Sequence, residues 1–321
     1  MRAIRVEAFG GPEQLTLADV PVPGPGPGQV RVRLHAAGVN PVDTYIRAGT
    51  YARTPPLPFT PGTDGAGVID AVSGDVRGLT PGDRVYVAAL LTPHTGTYAE
   101  HVVCDATAVF PLPAPVTFAA GAAVGVPCIT AYRALFQCAG LKPGERVLIH
   151  GASGGVGTAA VQMARAHGAR VAGTAGTEAG LELVRSEGAH LAADHTAPGY
   201  LDQLAAFAGG FDVVVEMLAN VNLERDLHLL AMRGRVVVVG NRGTLEFNPR
   251  SAMAREATII GTTLWNAAPE ELASAHAWVG AALEGGVLRP VVGRELPLAD
   301  AAQAHAQVMA PGAHGKIVLV S

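Results

Sequence analysis

Lysine is almost missing from this chain of 321 residues. Of the 23 basic residues only Lys142 and Lys316 are lysines, the other 21 are arginines, and the formal net charge is −4. Without a basic cluster, a nucleic acid is not expected as the main partner. Cysteine is also scarce: Cys104, Cys128 and Cys138 are odd in number and show no paired spacing, which is typical of a reducing compartment.

Long apolar segments are missing as well. No uncharged apolar run reaches the length of about 18 residues that a membrane-spanning helix needs. The first residues, MRAIRVEAFGG, lack the apolar core of a signal peptide. We therefore expect a soluble protein that is located in the cytoplasm and does not insert into a membrane.

Glycine and proline, by contrast, are abundant, with 40 and 23 residues. In residues 1–120 they form repeated turn signals, and short alternating or β-branched runs lie between these turns, as at 30–34, 67–72, 84–87 and 98–103. This pattern predicts a β-barrel-like domain of short strands. The length of the chain leaves room for a second domain.

From about residue 125 onward, apolar strands alternate with helices. Strands are predicted at 146–150, 170–174, 211–216, 235–240 and 258–263, with helices at 156–167 and 180–187. Continuous apolar strands separated by helices predict an α/β domain whose parallel sheet is covered on both faces, a doubly wound Rossmann sheet. A helix at 270–284 and strands at 287–298 and 316–320 then return to the first domain.

One glycine-rich turn predicts dinucleotide binding. His150-Gly-Ala-Ser-Gly-Gly-Val-Gly157 connects the first of these strands to its helix. The nucleotide fingerprint requires small residues for the tight turn, for the approach of the pyrophosphate and for packing of the helix. Here these positions are Ala152, Gly154 and Gly157, so alanine replaces the first glycine. Free N–H groups at the helix start then face the phosphates.

The end of the second strand indicates which dinucleotide is bound. An NAD site usually has an acidic residue there, about 20 residues after the glycines, to bind the ribose 2′-hydroxyl. Val171-Ala-Gly-Thr-Ala-Gly-Thr177 has no acid before Glu178, which favours NADPH because no carboxylate repels the 2′-phosphate. No arginine or lysine stands in this turn, and Arg185, one helix away, is expected to be a solvated surface charge.

Several motifs make the whole chain similar to one known family. They are Ala37-Gly-Val-Asn-Pro-Val-Asp43, Thr44-Tyr-Ile-Arg47, Gly49-Thr-Tyr51, Pro61-Gly-Thr-Asp-Gly-Ala-Gly67, Thr130-Ala-Tyr-Arg133, residues 144–165, Glu216-Met-Leu-Ala-Asn220 and Asn248-Pro-Arg250. With them the chain resembles the zeta-crystallin type of NADPH:quinone oxidoreductase, in the zinc-free branch of the medium-chain dehydrogenase/reductase superfamily.

The resemblance implies the domain organisation. A GroES-like β-rich domain is expected to be split into residues 1–121 and 266–321, and a Rossmann domain of residues 122–265 is inserted in it. The active cleft is expected at the junction of the two domains. A homodimer or homotetramer is also implied.

The metal sites of related alcohol dehydrogenases can be compared with this chain through the same resemblance. Asn40 stands at the place of their first zinc-binding cysteine, and Thr63, followed by Asp64, at the place of a histidine. The four-cysteine lobe of a structural zinc is missing. His101 and Cys104 have a ligand-like spacing but are predicted to lie along one strand without a second pair. We therefore expect no bound metal.

The resemblance also implies the site residues. Asn40, Tyr45, Tyr51 and Thr130 are expected at the nicotinamide end of the cleft, and the first three are the candidate catalytic residues. Their amide and phenol groups can bind a carbonyl oxygen, stack on a flat ring or donate a proton. From the residues alone, an Asn-Pro pair also fits a simple turn, and the tyrosines fit a cover over the core. The other residues expected to bind NADPH are Ser153, Gly154, Gly155, Val156, Gly173, Thr174, Thr177, His195, Asn220, Gly240, Asn241, Arg242, Gly261, Thr262 and Leu264.

Together these observations favour zinc-independent reduction of a quinone by NADPH. Without a Lewis acid, an electrophilic acceptor is the more suitable substrate, and the protein needs mainly to align it with the nicotinamide. One alternative is NADPH-dependent reduction of the double bond of an enoyl thioester or alkenal, with Tyr51 as proton donor. Another is a non-catalytic role as an NADPH-regulated RNA-binding or structural protein. The residues do not decide between hydride and single-electron transfer.

Overall fold

The computed structural model describes residues 1–88 and 96–321. The strands are β1 (Arg2–Arg5), β2 (Thr16–Asp19), β3 (Gln29–Val39), β4 (Asp64–Val72), β5 (Arg84–Ala88), β6 (His101–Asp105), β7 (Val109–Pro111), β8 (Arg146–Ile149), β9 (Arg170–Ala175), β10 (Leu191–Asp194), β11 (Phe211–Glu216), β12 (Leu230–Val238), β13 (Thr258–Gly261), β14 (Val292–Pro297) and β15 (Lys316–Val320). The helices are α1 (Pro41–Arg47), α2 (Phe118–Gly121), α3 (Gly125–Tyr132), α4 (Gly155–Ala166), α5 (Glu178–Ser186), α6 (Tyr200–Ala208), α7 (Ala219–Leu229), α8 (Pro249–Met253), α9 (Pro269–Glu284) and α10 (Ala301–Met309). None of the helices in these two ranges has the length and hydropathy of a membrane span.

Six strands form a parallel sheet in the order β10-β9-β8-β11-β12-β13. The chain moves outward from β8 in one direction, crosses back to β11 and then moves outward in the other direction, which is the doubly wound arrangement. Val147, Leu148 and Ile149 of β8 are fully buried, because helices cover the central strands on both faces. The predicted fold class is confirmed.

A second sheet contains strands from both ends of the chain. Its strands lie in the order β14-β15-β3-β4-β5-β7, and β6 also pairs with β3. The neighbours are antiparallel except β14 and β15. Because β15 pairs with β3, the residues that follow the parallel sheet return to the N-terminal lobe. The domain boundaries at residues 121/122 and 265/266 stay predictions.

Three strand predictions need correction. The segment 98–103 is not one strand, because Tyr98 N donates to Pro61 O in a turn and β6 begins only at His101. The segment 287–298 is shorter than predicted and forms β14 at 292–297. The last strand of the parallel sheet is not covered on both faces: β13 is an edge strand, and Ile259 is 39% exposed.

Candidate active site

The parallel sheet with its helices forms one lobe, and the second sheet forms the other, called the first lobe because it contains the N-terminal residues. The two lobes meet at the glycine-rich turn. β8 ends at Ile149 and α4 begins at Gly155, so residues 150–154 form the turn. Gly315 N donates to Ser153 O at 2.7 Å, and Ser153 Oγ donates to Ala313 O at 2.7 Å. The segment that leads into β15 is therefore hydrogen-bonded to the turn, and it brings the second sheet next to the start of α4.

The alanine in the turn is explained by a glycine opposite it. Ala152 is fully buried, and a Cβ at Gly173 would lie 2.6 Å from Ala152 Cβ and 2.8 Å from Val184 Cγ1. Gly173 therefore leaves the space that the alanine methyl group occupies. Gly157 cannot be replaced in this way, because its Cβ would lie 2.3 Å from Gly151 O. Packing of α4 against the turn requires a glycine there.

The start of α4 fits the pyrophosphate of a dinucleotide. Its N-cap, Gly154, has no side chain to bind the N–H groups of the first turn, to which Gly155 and Val156 belong. A Cβ at Gly154 would meet only Gly151 O at 3.5 Å and Ala313 Cβ at 3.6 Å, which are ordinary contacts. Protein packing therefore does not require glycine at this position, whereas close approach of a phosphate to the bare backbone does.

Residues expected on the adenosine side lie at the ends of β9 and β10. Thr177 Oγ1 accepts a hydrogen bond from Gly180 N and caps α5. His195 follows β10, and a Cβ at Gly176 would lie 2.8 Å from His195 Nε2. Burial lowers the pKa of His195, so its imidazole is neutral near pH 7 and can stack on a base or hydrogen-bond to it.

Two polar residues near this end already have protein partners. Thr174 is buried, and its Oγ1 accepts a hydrogen bond from Gly151 N at 3.3 Å, so its side chain supports the glycine turn. Arg185 Nη1 lies 3.3 Å from Glu178 Oε1 and 3.2 Å from Glu182 Oε2 on the exposed side of α5. Arg185 is a surface charge, as predicted.

The loops after β11 and β12 bind each other at the carboxyl edge of the sheet. Asn220 N donates to Asn241 Oδ1, and Arg242 N donates to Asn220 Oδ1, both at 3.0 Å. A Cβ at Gly240 would lie 2.3 Å from Met217 O, so the close approach of the two loops requires glycine. The exposed guanidinium of Arg242 has no partner within the described parts of the chain, which leaves it available to an anionic ligand.

The loop after β13 is fixed by β12 and by the π-helix that follows α3. Gly261 is the last residue of β13, and Thr262 N donates to Val238 O at 3.0 Å. Arg133, at the start of the π-helix Arg133–Cys138, donates to Thr262 Oγ1 at 3.2 Å. Leu264 then begins a short 3-10 turn, Leu264–Asn266. These contacts place the predicted residues of this loop at the same carboxyl edge as Asn220 and Gly240.

Beneath the glycine turn lies a buried cluster of His150, Glu216 and Asp226. His150 Nε2 lies 2.8 Å from Asp226 Oδ1 and 3.6 Å from Glu216 Oε2. Burial raises the pKa of Glu216 to about 7. Burial alone acts to lower the pKa of His150, but the carboxylates of Asp226 and Glu216 outweigh it and raise this pKa. Sequence reasoning missed the cluster, because Asp226 lies on a helix with no local motif around it.

Two oxygens of this cluster lack a donor. Among the described residues, neither Glu216 Oε2 nor Asp226 Oδ2 has a hydrogen-bond partner. One proton shared by the two carboxyl groups would satisfy both oxygens, and the raised pKa of Glu216 favours such a proton. Ligand atoms of the three residues also lie within 4.8 Å of one another, the one such group in residues 1–88 and 96–321. The expected absence of a metal therefore stays a prediction.

Asn40 lies in a buried polar network and not free in the cleft. It is 2% exposed and stands directly before α1. Its Nδ2 donates to Thr63 Oγ1 at 3.0 Å and to Asp64 Oδ2 at 2.8 Å. Its Oδ1 accepts from Lys316 Nζ, which also donates to Asp64 Oδ2 at 3.2 Å. The ammonium thus lies against the side chains of Asn40 and Asp64.

Lys316 is the functional candidate that sequence reasoning missed. It is 4% exposed, and its stem passes between the lobes: a Cβ at Gly38 would lie 2.9 Å from its Cε, and a Cβ at Gly155 would lie 3.6 Å from its Cδ. Composition carries the signal that could have found it. In a chain with arginine at 21 of 23 basic positions, a lysine at the start of a predicted apolar strand is a candidate for a site that requires a compact ammonium.

The polar network continues from Thr63 along α1. Asp43 Oδ1 accepts from Thr63 Oγ1 at 3.1 Å, and Asp43 Oδ2 accepts from Tyr98 Oη at 3.2 Å. Burial raises the pKa of Asp43 to about 7. Arg47 Nη1 donates to His305 Nδ1 at 3.2 Å, so His305 Nε2 carries a proton and donates to Tyr98 Oη at 3.1 Å.

Tyr45, Tyr51 and Thr130 are half-buried. Tyr45 lies in the last turn of α1, and Thr130 lies in α3; neither makes a side-chain hydrogen bond within the described residues. Tyr51 Oη accepts a hydrogen bond of 2.6 Å from Trp265 Nε1. The structure thus brings Tyr51 of the first lobe against the turn that contains Leu264.

The chain was compared with known proteins. A family described as alcohol dehydrogenase GroES-like domain matches residues 26–114, and one described as zinc-binding dehydrogenase matches residues 155–281. Quinone oxidoreductases of Homo sapiens and Lama guanicoe are 49% and 50% identical over 324 residues, which is 100% of this chain and 98% and 97% of theirs.

Solved structures agree over the full length. The quinone oxidoreductase of Thermus thermophilus, which was also solved in complex with NADPH, has a TM-score of 0.87 and 34% identity, with 100% of both chains covered. An NAD-dependent alcohol dehydrogenase has a TM-score of 0.90 and 35% identity, again with 100% of both chains covered.

Proposed function

The chain belongs to the quinone oxidoreductase family of the medium-chain dehydrogenases/reductases, and from this premise we propose that it reduces quinones with NADPH between its two lobes. The donor set around Lys316 carries the proposal. By the resemblance, the amide of Asn40 and the hydroxyl of Thr63 stand where related alcohol dehydrogenases have two zinc ligands, and here that amide and the carboxylate of Asp64 bind an ammonium. A quinone suits this arrangement because its carbonyl needs no metal to accept hydride.

NADPH supplies the hydride when it is bound. The bare N–H groups at the start of α4 suit its pyrophosphate, with Ser153 in the same turn. Gly173, Thr177 and His195 suit the adenosine. Because the turn before Glu178 contains no acidic residue, no carboxylate there repels the 2′-phosphate. The residues assigned to the nicotinamide half are Thr130, Asn220, Gly240, Asn241, Arg242, Gly261, Thr262 and Leu264.

The tyrosines and Asn40 receive different roles. Reduction of a quinone to a neutral hydroquinone adds one hydride and one proton, and Tyr45 and Tyr51 are the proposed groups that contact the ring and deliver the proton. Both N–H groups of the Asn40 amide are used inside the protein. Asn40 is therefore proposed to act mainly by positioning Lys316 and Asp64.

Reduction of an enoyl thioester or alkenal is the second candidate. Tyr51 favours it, because its oxygen accepts from Trp265 and its own O–H stays available to protonate an enolate. A large acyl carrier with phosphate groups prefers a basic entrance, and the chain has only two lysines, one of them buried. An RNA-binding role gains no support from a net charge of −4.

Assembly is proposed through the edge of the parallel sheet. β13 pairs on one side with β12, its outer edge is free within the described residues, and Ile259 is 39% exposed. Such an edge can pair with its copy about a two-fold axis and form a homodimer, from which a homotetramer can be built. Light scattering of the wild type and of Ile259→Lys tests this, because a charge at a β13 interface should give monomers. A cytoplasmic location also remains part of the proposal.

The first experiment follows NADPH oxidation by the purified protein with 1,4-benzoquinone, 9,10-phenanthrenequinone and crotonyl-CoA, with NADH as the cofactor control. We expect turnover with quinones and NADPH that a chelator does not change. The metal content of the protein is measured in the same preparation. Turnover with crotonyl-CoA alone contradicts the quinone proposal, and loss of activity on chelation contradicts its zinc-independence.

A further inference from the structure

The contact between Trp265 and Tyr51 joins the two lobes. Trp265 lies in the turn Leu264–Asn266 directly after the parallel sheet, whereas Tyr51 follows α1 in the first lobe, 214 residues earlier. Trp265 Nε1 and Tyr51 Oη are 2.6 Å apart, and the centroids of the two rings are 6.0 Å apart with a tilt of 47°. The hydrogen bond therefore connects the carboxyl edge of the sheet with the loop that carries a proposed proton donor.

The direction of this hydrogen bond is fixed by chemistry. An indole N–H can only donate, so the Tyr51 oxygen is the acceptor and its own O–H is not used in this contact. No second partner of Tyr51 Oη occurs among residues 1–88 and 96–321. The indole thus fixes the position of the phenol oxygen and leaves its proton available for a substrate.

A second contact from the same loop fixes the indole. The guanidinium of Arg53 lies 5.2 Å from the centroid of the Trp265 ring, within the range of a cation–π interaction. Tyr51 and Arg53 are two residues apart, so one loop of the first lobe contacts the indole at its N–H and at its ring. A substrate that requires the lobes to separate here must break both contacts.

We propose that Trp265 is a positioning and specificity-determining residue, which fixes the proton-donating phenol of Tyr51 and favours planar ring acceptors over acyl carriers. This inference rests on the proposed function. In the reaction, hydride from NADPH adds to one quinone oxygen or ring carbon, and the O–H of Tyr51 gives its proton to the anionic oxygen that forms. The resulting phenolate, which accepts the indole hydrogen bond, regains a proton from water.

Trp265→Phe keeps an aromatic ring and removes the N–H donor. We expect kcat for 1,4-benzoquinone to fall about 10-fold, the effect of one lost positioning hydrogen bond, while the Kd of NADPH stays unchanged. In a double-mutant cycle with Tyr51→Phe, the two effects should not add, because both act through the same phenol. Trp278→Phe is the control, since this second tryptophan packs against Tyr132 and Phe136 and should keep wild-type kinetics.

Specificity is tested with the smaller variant Trp265→Ala. Removing the indole opens the connection between the lobes, so kcat/KM for crotonyl-CoA relative to 1,4-benzoquinone should rise at least several-fold. Unchanged kcat in Trp265→Phe, additive effects in the cycle, or an unchanged ratio in Trp265→Ala would each overturn the proposal.

Fluorescence separates this inference from the proposed function. In Trp278→Phe, Trp265 is the only tryptophan, and adding Tyr51→Phe should move its emission to shorter wavelength because the N–H loses its acceptor. If the wild type turns over no quinone but the shift occurs, the proposed function fails and the contact stands. If quinones are reduced and the emission does not move, the inference fails alone.

Discussion

One buried polar cluster, around Asp64, lies between the lobes, and a second, around His150, lies inside the parallel-sheet lobe; the two compensate buried charge differently. Around Asp64 the compensation comes from a side chain, because Lys316 of β15 donates to both Asp64 and Asn40. Around His150 two carboxylates face one imidazole, and an oxygen of each lacks a donor among the described residues. An unpaired charge is costly to bury, so we expect a shared proton to complete the second cluster. The first should therefore respond most strongly to loss of its lysine, and the second to loss of the carboxyl group that binds the proton.

Replacing Lys316 should have the largest effect. Lys316→Met keeps the stem and removes the ammonium, which leaves the fully buried Asp64 carboxylate without its cation. We expect the free energy of unfolding to fall by about 3–5 kcal/mol, the range for breaking a buried ion pair from one side. Urea unfolding of the purified variant measures this change.

Lys142 provides the matched control, because it is the second lysine and its side chain is exposed. Lys142→Met should change the free energy of unfolding by less than about 0.5 kcal/mol. Equal effects of the two substitutions would mean that the ammonium does not compensate Asp64.

Glu216→Gln should remove a pH dependence. The pKa of Glu216 is raised from 4.5 to about 7, so the folded state binds the proton more tightly than the unfolded state. Its contribution to stability is complete below pH 4.5 and is lost as pH rises through about 7. Glutamine keeps an N–H donor toward Asp226 at every pH, so the variant should gain stability relative to the wild type as pH rises.

The difference in stability between the wild type and Glu216→Gln, measured as a function of pH, isolates the contribution of Glu216. Burial raises the pKa of Asp43 and lowers that of His276 and His305, but wild type and variant share these groups. The exposed Glu182→Gln is the control and should give a flat difference. Destabilisation of the wild type by a chelator would show that a cation, and not a proton, completes the cluster.

Substitutions in and beside the glycine turn above the second cluster should lower stability by a smaller amount, and two of them should be coupled. Gly173→Ala puts a Cβ 2.6 Å from that of Ala152, and such overpacking costs typically about 1–3 kcal/mol. Adding Ala152→Gly should recover part of the loss, because it removes the contact with the Ala152 methyl group, whereas the contact of 2.8 Å with Val184 Cγ1 remains. Thermal unfolding of the two single variants and the double variant measures the coupling, which is absent if the two positions are independent.

The sequence predicts the parallel sheet well, because its evidence is local. Phe211–Glu216 is a strand at the predicted residues, and Arg170–Ala175 extends the predicted strand by one residue, since apolar runs between turn signals identify strands directly. The glycine turn is likewise read from adjacent residues. The edge strand β13 was predicted as covered because its composition is apolar, and its position at the edge depends on strand order.

The polar clusters could not be predicted, because their members are far apart in the chain. Lys316 reaches Asn40 across 276 residues and only because β15 pairs with β3. Trp265 and Tyr51 are equally remote. Asn40 was found through a resemblance, which gave its location but not its partners. Such contacts follow from topology, and no periodicity or spacing in the sequence encodes them.

Substitution of Thr63 tests whether the first cluster acts as one network. Its Oγ1 donates to Asp43 and accepts from Asn40, so it connects the α1 carboxylate with the Lys316 site. Thr63→Val keeps the shape and loses both hydrogen bonds, and we expect a loss of about 1–3 kcal/mol in urea unfolding. Thr63→Ser keeps the hydroxyl and should lose less than about 1 kcal/mol. If the losses of stability in Thr63→Val and Lys316→Met are strictly additive, Asp43 and Lys316 belong to separate sites. The cluster around Asp64 is then smaller than its hydrogen bonds indicate.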